Sequence, residues 1–193
     1  MQTKIAIFCS GSGSNAQKII EYFQGNKNIE VAVLMANKPD AYALERAKKL
    51  NIPTWTFNRE EYNSGKVLEE LKKRNIDWII LAGFLWLVPE HLVQAYPHKI
   101  LNIHPALLPK FGGKGMYGMN VHNAVVANKE KESGITIHYV NKHYDEGNIL
   151  FQASCAVSPT DTADDVAKKV QVLEHEHFPK MIEKAILNLD SQD

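Results

Sequence analysis

Apolar residues in this chain come in short unbroken runs, alternating with longer stretches in which they recur every three or four positions. Runs at residues 5–9, 29–35, 52–57 and 77–82, and another leading into Leu101, read as strands, and the run at 77–82 is apolar enough for a sheet centre. Between them, helical spacing starts at Ala16 and recurs over 41–50, 58–74 and 90–96, with Val67, Leu68 and Leu71 on the inner face of the third helix. Strand, helix, strand in this rhythm predicts an open, mostly parallel, Rossmann-like α/β sheet with helices on both faces. After Ser133-Gly134 the pattern changes. Residues 135–140 alternate, residues 149–157 return, and the polar turn at 144–147 joins them as an antiparallel hairpin at the sheet edge. Helices are predicted over 119–128, with Val121, Ala124 and Val125 inside, and over 162–187. Pro179 should kink or interrupt the last one, and residues 190–193 should fray.

The breaks between these runs hold the chemistry. Ser10-Gly11-Ser12-Gly13-Ser14-Asn15 stands between the first strand and the first helix, where glycines admit a ligand close to the backbone and the helix start attracts an anion. Asn15 or Ser14 can also cap the helix. The loop lacks the third glycine of a dinucleotide fingerprint and the Gly-Lys-Ser/Thr of a P-loop, so a monophosphate is the better guess. Asn102 and His104, two apart on a strand that Pro105 stops, leave the same face and can polarise a carbonyl at the strand's carboxyl end. The loop from Gly83 to Pro89 is apolar, which suits either a pocket wall for a flat ring or plain core. Arg59 sits past a strand end, where it pairs with a ligand carboxylate or stays a solvated surface arginine. Residues 110–118 carry four glycines, as a closing lid or a passive crossing would.

Composition narrows the picture. Lys plus Arg and Asp plus Glu balance at 22 each over 193 residues, so no strong field argues for nucleic acid or an anionic membrane, and a charged ligand must be met by local groups. The chain suits a single domain (1–193). Cys9 and Cys155 are too few for a disulfide framework and read as buried thiols of a reducing cytoplasm. No leader pattern or spanning stretch appears. His175 and His177, two apart on a helix, point to different sides and predict no metal site.

Taken together, Ser10–Asn15, Leu81-Ala82-Gly83-Phe84, Asn102-Ile103-His104-Pro105 with Leu107-Leu108-Pro109, His138-Tyr139-Val140 and Asp145-Glu146-Gly147 resemble, in this order and over essentially the whole chain, the phosphoribosylglycinamide formyltransferases of purine synthesis. The resemblance implies transfer of formyl from 10-formyltetrahydrofolate, as cosubstrate, to the primary amine of glycinamide ribonucleotide, with no metal and no covalent intermediate. It implies a phosphate-binding half (1–100) and a catalytic, folate-binding half (101–193). By the same resemblance Asn102, His104 and Asp145 are catalytic: Asn102 and a protonated His104 stabilise the oxyanion, while Asp145 holds the imidazole charged and helps move the proton. Gly11, Ser12, Gly13, Ser14 and Asn15 resemble the ribonucleotide loop, joined by Lys99 towards the phosphate and Glu174 near the amine. Arg59, Leu85, Trp86, Leu87, Val88, Asn102 and His138 resemble the folate side. Trp86 departs from the arginine or other long polar residue expected there, the loop over residues 110–120 is longer and richer in glycine than the family's, and His122 matches a histidine of that loop. The partners implied are small molecules, with no nucleic acid and no membrane, for a cytoplasmic monomer or homodimer. Relatives with the same triad deformylate the folate or formylate methionyl-tRNA, but they usually carry an extra domain, for which a neutral chain of this length leaves no room. A non-catalytic nucleotide-binding module would not explain why Asn102, His104 and Asp145 coexist.

Overall fold

The apolar runs become the strands of one sheet. The computed structural model describes residues 2–142 and 145–190, the side chains of 189–190 excepted. Strands β1 (Thr3–Cys9), β2 (Ile29–Ala36), β3 (Thr54–Thr56), β4 (Trp78–Leu81) and β5 (Ile100–His104) are parallel, β6 (Glu132–Tyr139) is antiparallel to β5, and β7 (Ile149–Ala156) is antiparallel to β6. Their order is β3-β2-β1-β4-β5-β6-β7, which puts β4 at the centre and the hairpin at one edge, as the sequence predicts.

Alternate residues of β1, β2, β4 and β5 feed two cores. On one face Ile5, Ile7, Leu34, Ile80 and Leu101 pack with α1 (Ser14–Phe23), α2 (Tyr42–Lys49), α6 (Met119–Ala127) and α7 (Ala163–Asp190). On the other, Ala6, Phe8, Val33, Met35, Ile79 and Leu81 pack with α3 (Arg59–Asn63), α4 (Lys66–Lys73) and α5 (Glu90–Ala95). A fully buried Ile, Leu or Phe contributes roughly 1.5–3 kcal/mol. Burial on both sides of β1 and β4 therefore penalises a one-residue slip, which would trade the residues of one core for those of the other.

Several boundaries differ from the sequence reading. The helix expected over 58–74 is two: Asn58 and Glu61 form a capping box that starts α3, and Gly65, at φ 93°, breaks the helix before α4. The third strand shrinks because Ile52 N–H is bonded back to Ala47 in the turn after α2 and Pro53 has no N–H to donate. Pro179 does not interrupt α7, where its neighbours Phe178 and Ile182 are fully buried and packing outweighs the lost hydrogen bond. The hairpin connection is longer than a tight turn, running over residues 140–148. Tyr144 of the expected turn and residues 191–193 of the expected frayed tail lie outside the described residues. Cys9 is fully buried, whereas Cys155, on the edge strand, is only half-buried. Among the described residues no helix is long and apolar enough to cross a membrane.

The chain leaves β1 for β2 and β3 on one side, then returns to β4 on the other. A crevice must open at the carboxyl ends of β1 and β4, because their loops depart in opposite directions. Ser10 ties its two walls together: its N–H donates to Gly83 C=O (3.1 Å), and its hydroxyl accepts from Leu85 N–H (3.0 Å).

Candidate active site

Strand register brings the first polar side chains together. Asn102 and His104 share a face of β5, and in the antiparallel pairing with β6 they lie opposite His138 and Thr136. Asn102 Nδ2 is 3.1 Å from His138 Nε2, and His138 Nδ1 lies 3.1 Å from the Tyr139 carbonyl. That carbonyl demands the proton on Nδ1, so in the neutral ring Nε2 accepts from the Asn102 amide. Thr136, fully buried, donates to Ala106 C=O (2.7 Å) and accepts from Leu108 N–H (2.9 Å) and Gln152 Nε2 (2.9 Å). This network fixes the turn after His104, which contains the cis Leu108–Pro109 peptide.

Asp145 joins from the hairpin connection. Its Oδ2 lies 3.6 Å from His104 Nδ1 and its Oδ1 3.6 Å from His138 Nε2, and Oδ2 accepts from Gly113 N–H at 3.0 Å. The connection can run this close only because residue 147 is glycine: a Cβ there would stand 1.5 Å from the Tyr139 carbonyl oxygen. Burial opposes the Asp145 carboxylate, but the adjacent His138 and His104 and the Gly113 N–H outweigh it and hold its pKa below the ordinary value.

His104 is 4 % exposed, and its Nε2 donates to Phe111 C=O at 2.7 Å. A ring protonated only there would turn the Nδ1 lone pair towards Asp145, so the contact favours imidazolium. Burial favours the neutral ring more strongly, and the net shift of the His104 pKa is downward. Burial thus pulls the His104 ring towards its neutral form, while Asp145 and the Phe111 carbonyl pull towards the charged one. Asp145 stands ready to stabilise the charge once a proton arrives.

The serine-glycine loop after β1 and α7 form one flank. Gly13, not a serine or asparagine, is the N-cap of α1, and no side chain caps the helix. At φ 73° it packs onto α2, where a Cβ would lie 2.5 Å from Ala43 Cβ and 2.6 Å from Ala43 Cα. Asn15 is then free to donate to Glu174 Oε2 (3.0 Å). Burial pushes Glu174 up to about 7, against the opposing pull of that hydrogen bond. On the other flank Leu85, Trp86, Leu87 and Val88 line the cleft, with Leu85 and Leu87 each 38 % exposed. The Arg59 guanidinium stacks 3.8 Å over the Trp86 ring, so aromatic surface and cation are joined in one wall.

The whole is a cleft of about 740 Å³, lined by Gly11, Ser12, Gly13, Ser14 and Asn15, by Leu85 to Val88, and by Asn102, His104, His138, Asp145 and Glu174. That size suits small organic ligands. Of the residues expected in the site, Arg59 reaches it through Trp86. Lys99 does not reach it: it is exposed just before β5, at the amino-terminal end of the strand, whereas the cleft opens at the carboxyl ends. The sequence reading missed Lys38 and Gln171, which line the cleft, as well as Thr136 and the backbone of Phe111 and Gly113. Gln171 was within reach of pattern reasoning, since Ala167, Val170, Gln171 and Glu174 follow helical spacing towards the cleft. Among the described residues no group of three or more His, Cys, Asp or Glu side chains is placed to hold a metal ion.

Residues 3–182 match the family described as formyl transferase. The chain is 42 % identical over 186 residues to phosphoribosylglycinamide formyltransferase, chloroplastic, of Arabidopsis thaliana, covering 93 % of this chain and 64 % of the relative. It covers 60 % of the chloroplastic relative of that name from Vigna unguiculata, so it spans less than two thirds of either plant protein. Phosphoribosylglycinamide formyltransferase of Bacillus subtilis is 34 % identical, over 98 % of this chain and 97 % of its own. The crystal structure of phosphoribosylglycinamide formyltransferase from Bacillus halodurans superposes with a TM-score of 0.86 at 35 % identity, covering 94 % of both chains. Sequence match, superposed fold and the polar cluster at the strand ends agree: the chain belongs to the formyl transferase family.

Proposed function

We propose that the chain transfers a formyl group from 10-formyltetrahydrofolate to the primary amine of glycinamide ribonucleotide, acting as one unit over residues 1–193. The observation that carries this reading is the meeting of Asn102, His104 and Asp145 in one cleft between an anion loop and an apolar wall. The wall of Leu85, Trp86, Leu87 and Val88 with Arg59 suits a flat heteroaromatic ring carrying an anionic tail, and Gly11 to Asn15 suit a phosphate. When bound, the folate supplies the formyl group on an amine nitrogen.

The chain's residues orient the two partners and handle charge and protons. Asn102 keeps one amide N–H beyond the one given to His138, and directs it to the formyl oxygen, where negative charge builds. As the amine nitrogen bonds to the formyl carbon and the bond from that carbon to the folate nitrogen breaks, the amine's proton passes, directly or through water, by way of the His104–Asp145 pair to the departing folate nitrogen. Phe111 C=O and substrate compete for the same His104 N–H, so the loop over residues 110–118 must release His104 as substrate enters. No side chain here acts as a nucleophile. The partners are small molecules, with no role for nucleic acid or membrane, and the protein works in the cytoplasm as a monomer or homodimer.

The test mixes the protein with glycinamide ribonucleotide and a 10-formylfolate analogue and follows deformylated folate by absorbance. Release only with both present is expected. Release without the ribonucleotide would make the protein a hydrolase, and no release would leave a binding module. A formyl-enzyme seen by mass spectrometry during turnover would contradict direct transfer.

A further inference from the structure

With Lys99 at the far end of the sheet, the phosphate of the proposed substrate needs another counter-charge. The chain has no net charge to supply a general attractive field, and the loop from Ser10 to Asn15 offers N–H and hydroxyl donors but no cation. We infer that Lys38 is the cation that recognises the substrate phosphate and sets the preference for a phosphorylated over an unphosphorylated ribosyl substrate. This rests on the reading of the cleft as a ribonucleotide site.

Register supports the placement. Cys9 pairs with Ala36 at the carboxyl ends of the parallel strands β1 and β2, so Lys38, two residues past β2, leaves the sheet at the same end as Gly11 in the loop after β1, and both line the cleft. The segment after Lys38 stays on that loop: Ala43 N–H donates to Gly11 C=O at 3.1 Å, and Gly13 packs against Ala43. Lys38 lines the cleft, is exposed, and has no ion-pair partner among the described residues. The other cation near the loop is already engaged. Arg46 donates from Nε to Ser12 C=O (2.8 Å) and from Nη1 to Gln17 Oε1, so it braces the loop from behind. Lys114 also lines the cleft, but it adjoins Gly113, which is bonded to Asp145 on the catalytic side. A flexible ammonium beside fixed N–H donors is a common way to meet a phosphate dianion, because the backbone gives geometry and the lysine gives charge.

The experiment compares the intact protein with Lys38→Met, Lys38→Arg and Lys99→Met, on glycinamide ribonucleotide and on its dephosphorylated riboside, and measures ribose 5-phosphate binding by calorimetry. Lys38→Met should raise KM for the ribonucleotide about tenfold or more, with kcat changed less than about threefold and KM for the riboside unmoved. Lys38→Arg should recover most of the loss, and Lys99→Met should match the unmodified protein. An unchanged KM in Lys38→Met, or an equal loss on both substrates, would overturn the assignment. If the unmodified protein transfers no formyl group, the functional reading fails, and ribose 5-phosphate still decides the role of Lys38. Binding weakened about tenfold by Lys38→Met supports it, while equal binding or none by the unmodified protein refutes it.

Discussion

Two glycine-rich loops line the cleft, one after β1 and one over residues 110–118, and they use glycine for opposite ends. In the first, Gly13 is held at positive φ against the backbone of Ala43, so its missing Cβ lets α1 and α2 approach each other. The shape of this loop is a consequence of how the fold packs. In the second, a Cβ on Gly112 would meet the end of the Leu108 side chain at 2.5 Å and Asp145 Cβ at 3.4 Å. There the small residue lets Phe111 C=O reach His104 and Gly113 N–H reach Asp145. One loop is tied to the packing of two helices, the other to His104 and Asp145. Glycine count alone does not separate the two roles, but the atom each absent Cβ would strike does.

The sharpest way to test that difference is at the groups the second loop touches. His104→Ala or Asp145→Asn should lower kcat by about a hundredfold or more, while ribonucleotide Kd from calorimetry changes by less than about threefold. Equal losses in rate and binding would make these residues substrate holders. Next comes Gly13→Ala, which combines left-handed backbone strain with overlap on Ala43 and should cost roughly 2–4 kcal/mol in denaturant unfolding. Gly112→Ala meets the flexible tip of Leu108, so its stability cost should be only about 1 kcal/mol, with the larger effect, about tenfold, in kcat/KM. If Gly13→Ala proved as stable as the parent, the contrast between the loops would be lost.

Glu174 gives a smaller effect with a definite sign. Its carboxyl is raised from 4.5 to about 7 in the fold, so between these values the folded protein holds a proton that the unfolded chain has released. Stability then falls as pH rises through that window, with a slope of at most about 1.4 kcal/mol per pH unit. Glu174→Gln should flatten the slope, as denaturant melts at several pH values would record. Smallest is Trp86→Ala, which removes the surface under Arg59 and should cost about 0.5–2 kcal/mol of folate affinity, read as a rise in folate KM with kcat nearly kept.

Most of the sheet was legible because burial on two faces leaves unbroken apolar runs, as in Trp78–Leu81, and because Asn102 and His104 alternate on a strand ending at proline. What the sequence hid depended on register or on backbone atoms. Nothing local says that Asn102 lies opposite His138, that Thr136 braces the turn at Leu108, or that the Phe111 carbonyl meets His104. Lys99 entered through the family resemblance alone, and its place just before β5 puts it at the amino-terminal end of the strand, away from the cleft. Lys38 stands in an ordinary-looking turn, and only the fold puts it in the lining of the same cleft as Gly11. The break at Gly65 was readable as a glycine, but the apolar spacing of Val67 and Leu71 masked it.

The central claim is that His104 and Asp145, which are distant in the chain, act as one proton-handling unit in formyl transfer. The direct measurement is single-turnover transfer from 10-formyltetrahydrofolate to glycinamide ribonucleotide by His104→Ala, Asp145→Asn and the double variant. The account predicts a double variant scarcely slower than the worse single one, since removing either partner disables the unit. Losses that multiply would show two independent contributions and contradict it.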